Sequence, residues 1–456
     1  MKLLSKSIPI MLMFDFVILL CSTIFWYRFF QLPLAYEICF AGLTVIAGIF
    51  ALFLKANYKI REFNNTKKNA YLLFEGVIFS QIPAIFFVLC FFRELQACQF
   101  ILFNTITIFV ILKIYRALFH YYLFHLKPVK NVLIIGNNSN AKLIADEIIN
   151  KQALMMKVVG FVEDYYQEDV IEDNTYKIFK QPADLAKIIK DKRVNIVIVA
   201  TKHRMKDELL ADLVLNIPKN VKLCKMADMY EMITGKFFIS KQSVNSLFYE
   251  FMNSRSFIYD FCKRVYDIIA ALIILIVTFP ILFYVGIRVK MTDGGKAIYT
   301  QNRVGKGGKN FKCYKLRTMY ENDYVPKNVQ KGGYAQNQDM DDRVIPFCKF
   351  VRKARFDEIP QMINILKGDM SIVGPRTEWE DLVNLYSKEI PHYTCRQWVK
   401  TAWTGWAQIN QGHCVNNDDV SEKLAYDLYY LKHRNILWEI GILIKAVFLA
   451  LGGRHD

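Results

Sequence analysis

Four long apolar runs open the chain, separated by short polar connections. They cover residues 8–30, 34–54, 71–92 and 100–124. Each run is close to the roughly 20 residues that an α-helix needs to cross a bilayer. The pattern therefore predicts a four-helix transmembrane domain over residues 1–126.

Lysine and arginine are unevenly divided between the connections of this predicted bundle. The first connection has none, and the third has only Arg93. The start of the chain, the second connection and the exit of the fourth run carry Lys2, Lys6, Lys55, Lys59, Arg61, Lys67, Lys68, Lys127 and Lys130. Because cytoplasmic connections are rich in these residues, both ends of the bundle are predicted to be cytoplasmic.

A different pattern follows the bundle. Short apolar segments at 131–136, 158–162 and 194–200 alternate with helix-like segments at 141–149, 184–190 and 206–215. Strands that alternate with helices are typical of a parallel, doubly wound sheet. A Rossmann-like α/β domain is therefore predicted over residues 127–226.

The turn after the first of these strands matches a nucleotide-binding turn only in part. After Gly136, Asn138 stands where a second glycine would let the backbone approach a pyrophosphate. Two interpretations are open: a bound dinucleotide, or a degenerate fold with a structural or regulatory role.

A connecting segment covers residues 227–258. Lys263 and Arg264 then precede a fifth apolar run, which ends in further cations. Pro280 lies inside the run, where it removes a backbone donor and clashes with the preceding turn. A plain span would place one cationic flank outside, whereas a helix that bends at Pro280 keeps both flanks cytoplasmic. The pattern favours a re-entrant helix over about 265–289, with Lys263 and Arg264 anchored at the membrane interface.

Composition narrows the class of partner. Hydrophobic residues make up 53% of the 456 residues, and the formal net charge is +17. This combination fits a membrane protein that meets anionic lipid or phosphorylated substrates. Nucleic acid is disfavoured, because the charge is spread along the chain without a recognisable binding module.

Two adjacent carboxylates, Asp357 and Glu358, follow a basic run. Neighbouring side chains on a helix point about 100° apart, so the pair suits separate roles. One carboxylate would be a nucleophile, and the other a ligand for Mg²⁺, which takes one or two carboxylates plus substrate phosphates. The residues alone also fit a simpler interpretation, an acidic first turn of a helix with Pro360 in that turn.

Four cations are candidate phosphate ligands: Arg303, Lys315, Arg317 and Arg376. Arginine forks match phosphate oxygens, and lysine supplies a point charge. A diphosphate needs several such donors, because charge builds on the leaving phosphate during transfer. Solvated cations that face lipid headgroups are the alternative.

Short motifs follow one another in a fixed order from Lys263 towards the end of the chain. They are Lys263-Arg264 with Asp267, Gln301 to Gly305, Lys315 to Met319, Asp357 to Gln361, Lys367 to Arg376, Thr404 to Asn410 and Tyr426 to Tyr430. In these motifs the chain resembles the bacterial sugar transferases, the monotopic polyprenyl-phosphate hexose-1-phosphate transferases. The front half resembles, less specifically, the long members of that family, which have four spans and a Rossmann-like module. The resemblance implies a small mixed α/β catalytic domain with a re-entrant helix over residues 259–456.

The resemblance also implies a reaction, transfer of hexose-1-phosphate from a UDP-sugar to undecaprenyl phosphate with release of UMP. It implies that Asp357 is the nucleophile of a phosphosugar-aspartate intermediate and that Glu358 holds Mg²⁺. Arg376 is expected on a phosphate, and Pro280 at the bend of the re-entrant helix. The expected site lies on the cytoplasmic face of the bacterial inner membrane, at the first membrane step of surface polysaccharide synthesis.

Some positions depart from the family pattern. Phe279 stands where the family often has a serine before the proline of the bend, and Ala354-Arg355-Phe356 stand where it usually has Thr-Ser-Leu before the acids. Thr377 replaces the second proline of Gly-Pro-Arg-Pro, and Lys400-Thr401-Ala402 replace Lys-Pro-Gly. These departures leave loop geometry and the identity of the sugar open.

Two other functions fit parts of the sequence. A membrane-anchored NAD-dependent nucleotide-sugar dehydratase or epimerase has a similar layout, but the turn lacks its second glycine. A non-enzymatic scaffold or regulator would leave the C-terminal motifs unexplained. The expected partners are a UDP-sugar, undecaprenyl phosphate and membrane lipid. The sequence does not determine the oligomeric state, although it is compatible with a homodimer.

Overall fold

The structure is a computed structural model of the chain. It describes residues 7–31, 37–54, 66–91, 95–122, 128–151, 155–163, 176–179, 185–201, 217–253, 256–320, 344–412 and 416–450. The chain divides into two compact units between Thr234 and Gly235.

Helices form at all four apolar runs that open the chain. They are α1 (Ser7–Phe29), α2 (Glu37–Leu54), α3 (Thr66–Phe91) and α4 (Leu95–Tyr121). Side chains from all four pack into a common apolar core that includes Leu19 and Leu112. Within the described ranges, two stretches are long and apolar enough to cross a membrane, Gln99–Phe119 and Phe257–Thr292.

The structure confirms the predicted α/β domain with its parallel sheet. Its strands lie in the order β3-β2-β1-β4-β5, where β1 is Lys130–Ile135, β2 Met156–Val162, β3 Ile178–Phe179, β4 Val194–Val199 and β5 Lys222–Lys225. The helices described here are α5 (Ser139–Asn150), α6 (Leu185–Asp191) and α7 (Met226–Thr234). The helix predicted at 206–215 lies outside the described residues. Buried residues such as Leu133 and Val197 form the core of the domain.

The second unit combines short strands with helices. Its elements are α8 (Lys241–Asn253), α9 (Phe257–Asp293), β6 (Ile298–Val304), β7 (Asn310–Leu316), α10 (Cys348–Lys353), α11 (Gln361–Lys367), β8 (Ser371–Val373), α12 (Glu380–Glu389), β9 (Ala402–Thr404), α13 (Trp406–Asn410), α14 (Asn417–His433) and α15 (Ile436–Ala450). β6 and β7 form an antiparallel hairpin, and β8 pairs with β9 in parallel. Met362, Ile372 and Leu428 belong to the main apolar core.

α9 contains the fifth apolar run as one long helix. It has 37 residues, which corresponds to about 55 Å at 1.5 Å per residue. Ser256 caps its start by accepting a hydrogen bond from the backbone of Tyr259, and Gly294, with a φ of 76°, ends it. Pro280 lies inside this helix.

Both ends of α9 are attached to the second unit. Near its start, the Asp267 carboxylate accepts a hydrogen bond from Ser371 Oγ at 2.9 Å. Near its end, the carbonyl of Val289 accepts one from Arg317 Nη2 at 3.3 Å. Between these attachments Ile276 is 72% exposed, so the middle of the helix presents an uncovered apolar surface.

Candidate active site

The two acids occupy a turn of their own. Phe356–Glu358 form one turn of 3-10 helix before α11, and Arg355, which precedes it, has a positive φ of 56°. Glu358 N closes the turn by donating to Arg355 O at 3.2 Å. A left-handed backbone costs a residue with a Cβ about 1–2 kcal/mol, so contacts elsewhere must hold the turn. Phe356 supplies them by packing against both apolar cores of the second unit.

Glu358 is held between two cations. Its Oε1 accepts hydrogen bonds from Arg376 Nη2 at 2.7 Å and from Lys315 Nζ at 3.1 Å. Lys315 lies on β7 and Arg376 follows β8, so two separate strand pairs bring positive charge to one oxygen. The structure thus brings these three predicted site residues together beside Asp357.

Close packing of two loops positions Arg376. Arg396 Nη2 donates to Arg376 O at 2.9 Å and is itself paired with Asp427 at 2.8 Å. Gly374 O lies so near Gly405 that a Cβ added there would be 2.0 Å from it. Because Gly405 has no side chain, the loop that contains Gly374 and Arg376 can pack directly against it.

The two carboxyls have opposite electrostatic surroundings. Burial raises the pKa of Asp357 to about 6, and the charge of Glu358 adds to this rise. Burial would also raise the pKa of Glu358, but Arg376, Lys315 and Arg355 outweigh it and hold that pKa well below its usual range. Glu358 is therefore firmly ionised, whereas Asp357 gives up its proton only as neutral pH is approached.

The other two predicted phosphate ligands have different surroundings. Arg303 donates to the carbonyl of Thr377 at 3.2 Å. Arg317 donates to the carbonyls of Lys296 at 2.6 Å and Val289 at 3.3 Å, which ties the end of α9 to β7. In the part of the chain that the structure describes, neither arginine forms an ion pair with the two acids. Their phosphate-binding roles stay predictions.

Lys263 and Arg264 have partners within the second unit. Lys263 Nζ lies 3.1 Å from Asp267 Oδ1 and 2.7 Å from Glu439 Oε2. Arg264 donates to two carbonyls at the C-terminal end of α11. Glu439, which is fully buried, also joins this network. The sequence did not reveal this pairing, because Lys263 and Glu439 lie far apart along the chain. A role at the membrane interface for Lys263 and Arg264 stays a prediction.

The donor set fits Mg²⁺ if the substrate contributes ligands. Within the described ranges, no group of three or more His, Cys, Asp or Glu side chains could hold a metal ion. Mg²⁺ is commonly bound by one or two carboxylates together with substrate phosphates, and Glu358 would supply one carboxylate. Lys315 and Arg376 contact the same oxygen of Glu358, Oε1, so its second oxygen is the one that suits a metal ion.

The turn after β1 is filled by one of its own side chains. Asn138 Oδ1 caps α5 by accepting a hydrogen bond from Ala141 N at 3.1 Å, and Nδ2 donates to Ala200 O at 2.8 Å. β1 and β4 are neighbours where the strand order reverses, which is where doubly wound folds bind ligands. The described residues of this turn therefore do not fit a dinucleotide phosphate.

Comparison with known proteins establishes the family. A family model described as bacterial sugar transferase matches residues 258–453. A UDP-glucose:undecaprenyl-phosphate glucose-1-phosphate transferase of Caulobacter vibrioides is 33% identical over 190 residues, which are 41% of this chain and 69% of that relative. The chain belongs to the bacterial sugar transferase family. The resemblance drawn from the ordered motifs is thereby confirmed.

Two further relatives show how far the likeness extends. A UDP-N-acetylgalactosamine-undecaprenyl-phosphate N-acetylgalactosaminephosphotransferase of Aeromonas hydrophila is 38% identical over 196 residues, 43% of this chain and 45% of that relative. The match thus spans less than half of the Aeromonas protein. A UDP-glucose:undecaprenyl-phosphate glucose-1-phosphate transferase of Xanthomonas campestris pv. campestris is 28% identical over 352 residues, 74% of this chain and 70% of that relative. These relatives do not favour the dehydratase or epimerase alternative.

A second family model, described as CoA-binding domain, matches residues 56–214 of this family member. Asn138 lies within that match, and its side chain already satisfies the backbone donor at the start of α5. The N–H of Ala141 is therefore not available to a CoA phosphate.

Proposed function

We propose that the chain is a phosphoglycosyl transferase that moves hexose-1-phosphate from a UDP-sugar to undecaprenyl phosphate and releases UMP. The three relatives support this reaction, because each is named as an undecaprenyl-phosphate sugar phosphotransferase. The lipid-linked sugar would begin a surface polysaccharide such as an exopolysaccharide, a capsule or an O-antigen.

The unequal surroundings of the two acids carry this proposal. Glu358 is neutralised by Lys315 and Arg376, whereas Asp357 forms no ion pair with any residue that the structure describes. A carboxylate whose oxygens are free of a bound cation is the better nucleophile, and a raised pKa makes it more basic once it is ionised. Asp357 is therefore assigned the attack, and Glu358 the organisation of charge.

The transfer is proposed to take two displacements at one phosphorus. In the first, a carboxylate oxygen of Asp357 bonds to the phosphorus that carries the sugar. The bond from this phosphorus to the bridging oxygen breaks, and UMP leaves with that electron pair. In the second, a phosphate oxygen of undecaprenyl phosphate bonds to the same phosphorus, and the bond to Asp357 breaks. This restores the carboxylate and yields undecaprenyl-diphosphate-sugar.

The cations around the acids would bind the phosphates during both displacements. Lys315 and Arg376 are already gathered there, and they would stabilise the charge that builds on the leaving UMP. Arg303 and Arg317 are proposed as further phosphate ligands. Mg²⁺, held by Glu358, would supply a positive charge that neutralises the diphosphate.

The proposed site faces the cytoplasm at the membrane surface. α1 to α4 would be four spans, and α9 would be a re-entrant helix that bends at Pro280. Attachment of both ends of α9 to the second unit supports the bend, as does the exposed apolar surface around Ile276. This arrangement would hold Asp357 where nucleotide sugars and the heads of polyprenyl phosphates both have access.

A UMP-release assay tests the proposal. Detergent-solubilised protein is mixed with Mg²⁺, undecaprenyl phosphate and each of a panel of UDP-sugars, and at least one sugar should give UMP. Asp357→Asn should reduce release to background, whereas Asp381→Asn, at an exposed acid in the first turn of α12, should leave it unchanged. Without the acceptor, wild type should release about one UMP per chain and gain the mass of a hexose phosphate.

The outcomes separate the two parts of the proposal. If no UDP-sugar yields UMP, the transferase function is wrong. If Asp357→Asn still releases UMP, the function can stand but the nucleophile is another residue.

A further inference from the structure

Arg355 has a backbone conformation that its residue type disfavours. Its φ of 56° is in the left-handed region, where glycine is at ease and asparagine is tolerated, but a bulky residue is strained. It lies two residues before Asp357 at the start of the 3-10 turn. Strain of this kind concentrates at functional sites, where the surrounding structure maintains it.

The side chain of Arg355 has charge nearby but no direct partner. It is half-buried, and no hydrogen bond or ion pair joins its guanidinium to another residue that the structure describes. Burial lowers the pKa of Arg355, and the like charge of Arg376 lowers it further. Glu358 links the two arginines, because its N–H donates to Arg355 O at 3.2 Å and its Oε1 accepts from Arg376 Nη2 at 2.7 Å.

The local charge balance favours an added anion. The charges of Arg355, Arg376, Lys315 and Arg352 act on the two acids, and of these two acids only Glu358 forms an ion pair with a described side chain. A phosphate is the anion that arginine forks recognise most readily. A phosphate bound beside Glu358 would also offset the like charges of Arg355 and Arg376.

We propose that Arg355 is a phosphate-binding residue that works with Arg376 on the phosphate group of a substrate. The inference rests on the proposed transferase function and adds a ligand to the same site. The phosphate has two sources, the diphosphate of the UDP-sugar and the phosphate of undecaprenyl phosphate, and the two arms of the test distinguish them.

The test uses variants that separate charge from backbone conformation. Arg355→Asn keeps a residue that tolerates positive φ but removes the charge, and Arg355→Lys keeps the charge without the fork. Lys353→Gln is the matched control, because Lys353 is an exposed cation of the same basic run. Arg355→Gly serves if the asparagine variant does not fold.

The first arm measures UMP release with a UDP-sugar and no acceptor, and the second measures the KM for undecaprenyl phosphate at saturating donor. If Arg355 binds the donor phosphate, Arg355→Asn should lower UMP release in the first arm by about 10- to 100-fold. If it binds the acceptor phosphate, the KM in the second arm should rise by the same factor. This is the effect of one lost charge-assisted hydrogen bond. Arg355→Lys should fall between wild type and Arg355→Asn, and Lys353→Gln should stay near wild type. An unchanged melting temperature shows that the loss is not structural.

A binding measurement keeps this inference separate from the transferase function. UMP binding to the full chain, followed by equilibrium dialysis, should weaken for Arg355→Asn if the donor phosphate is the ligand. The inference would be overturned if Arg355→Asn matched wild type in UMP release, in the KM for undecaprenyl phosphate and in UMP binding. That result is expected if Arg355 only shapes the turn. If the wild-type protein released no UMP, the transferase function would be wrong instead. The comparison of UMP binding by wild type and Arg355→Asn would then decide whether Arg355 binds a phosphate.

Discussion

At the scale of single residues, Asp357 and Glu358 are chain neighbours whose carboxylates meet different charges. The difference arises because Glu358 reaches Lys315 and Arg376, whereas Asp357 is half-buried, with a pKa of about 6 and no described ion-pair partner. Burying an acid without such a partner costs folding free energy. Two adjacent acids should therefore have opposite effects on stability.

Asp357→Asn should stabilise the metal-free, substrate-free protein near neutral pH. The folded state binds the Asp357 proton more tightly than the unfolded chain, where the ordinary value is 3.8. Ionisation of this carboxyl therefore destabilises the fold increasingly as the pH rises from about 4 to about 6, and fully above that. The gain is at most about 3 kcal/mol, from about 1.4 kcal/mol per pKa unit. Melting temperatures in EDTA should rise at about pH 7.5 and differ little at about pH 3.

Glu358→Gln is the companion variant, and it should have the opposite sign. Its pKa is held below the ordinary value, so its stabilising contribution is present above that value and is lost only in strong acid. Removal of this carboxylate leaves Lys315 and Arg376 facing each other, and breaking a buried ion pair costs about 3 kcal/mol or more. A lower melting temperature for Asp357→Asn than for wild type at neutral pH would contradict the electrostatic assignment.

At the scale of elements, the position of Arg376 depends on how closely β8 and β9 approach each other. Gly405→Ala would place a methyl group 2.0 Å from Gly374 O, although its φ of −164° is open to any residue. The cost is therefore steric, and overpacking of this kind is worth about 1–3 kcal/mol. The variant should melt at a lower temperature and release UMP more slowly, because the loop that carries Arg376 is displaced.

Gly412→Ala is the control for this steric argument. Among the described residues, a Cβ at Gly412 would have no neighbour within 4 Å, so the substitution should change neither melting temperature nor rate. Equal behaviour of the two alanine variants would show that the contact between the loops can relax without consequence.

The topology of α9 can be tested at its two ends. Asp260 and Lys290 are both exposed and lie on opposite sides of Pro280. In a chain whose native cysteines are replaced, Asp260→Cys and Lys290→Cys should react with a membrane-impermeant maleimide from the cytoplasmic side only. Labelling of Lys290→Cys from the outside would show a plain span, because a straight helix of about 55 Å is long enough to cross.

Regular elements were more accessible from sequence than the site. The strand predicted at 194–200 is β4, and the helix predicted at 141–149 lies within α5, because both depend on local apolar pattern. β5 was not predicted, since its four residues have lysine at both ends and read as surface. The left-handed backbone of Arg355 and the pairing of Lys263 with Glu439 were also missed. Both depend on tertiary packing, to which local pattern gives no access.

At the scale of the whole molecule, the candidate chemistry belongs to the second unit alone. Asp357, Glu358, Lys315 and Arg376 all lie after Gly235, and the sugar transferase model matches only within that unit. The two units also have separate apolar cores. The Caulobacter relative is matched over 69% of its length by 190 residues of this chain, so such a stretch makes up about two thirds of a protein with that name.

A chain of residues 235–456 should therefore fold in detergent and release UMP from the same UDP-sugar as the full chain. Its kcat/KM should stay within about tenfold of the full-length value, a change in barrier of no more than about 1.4 kcal/mol. Asp357→Asn in the shortened chain is the control, and it should remove the activity as it does in the full chain. A shortened chain with a cooperative melting transition but no UMP release would show that the first unit completes the site, since every charged group named above would still be present.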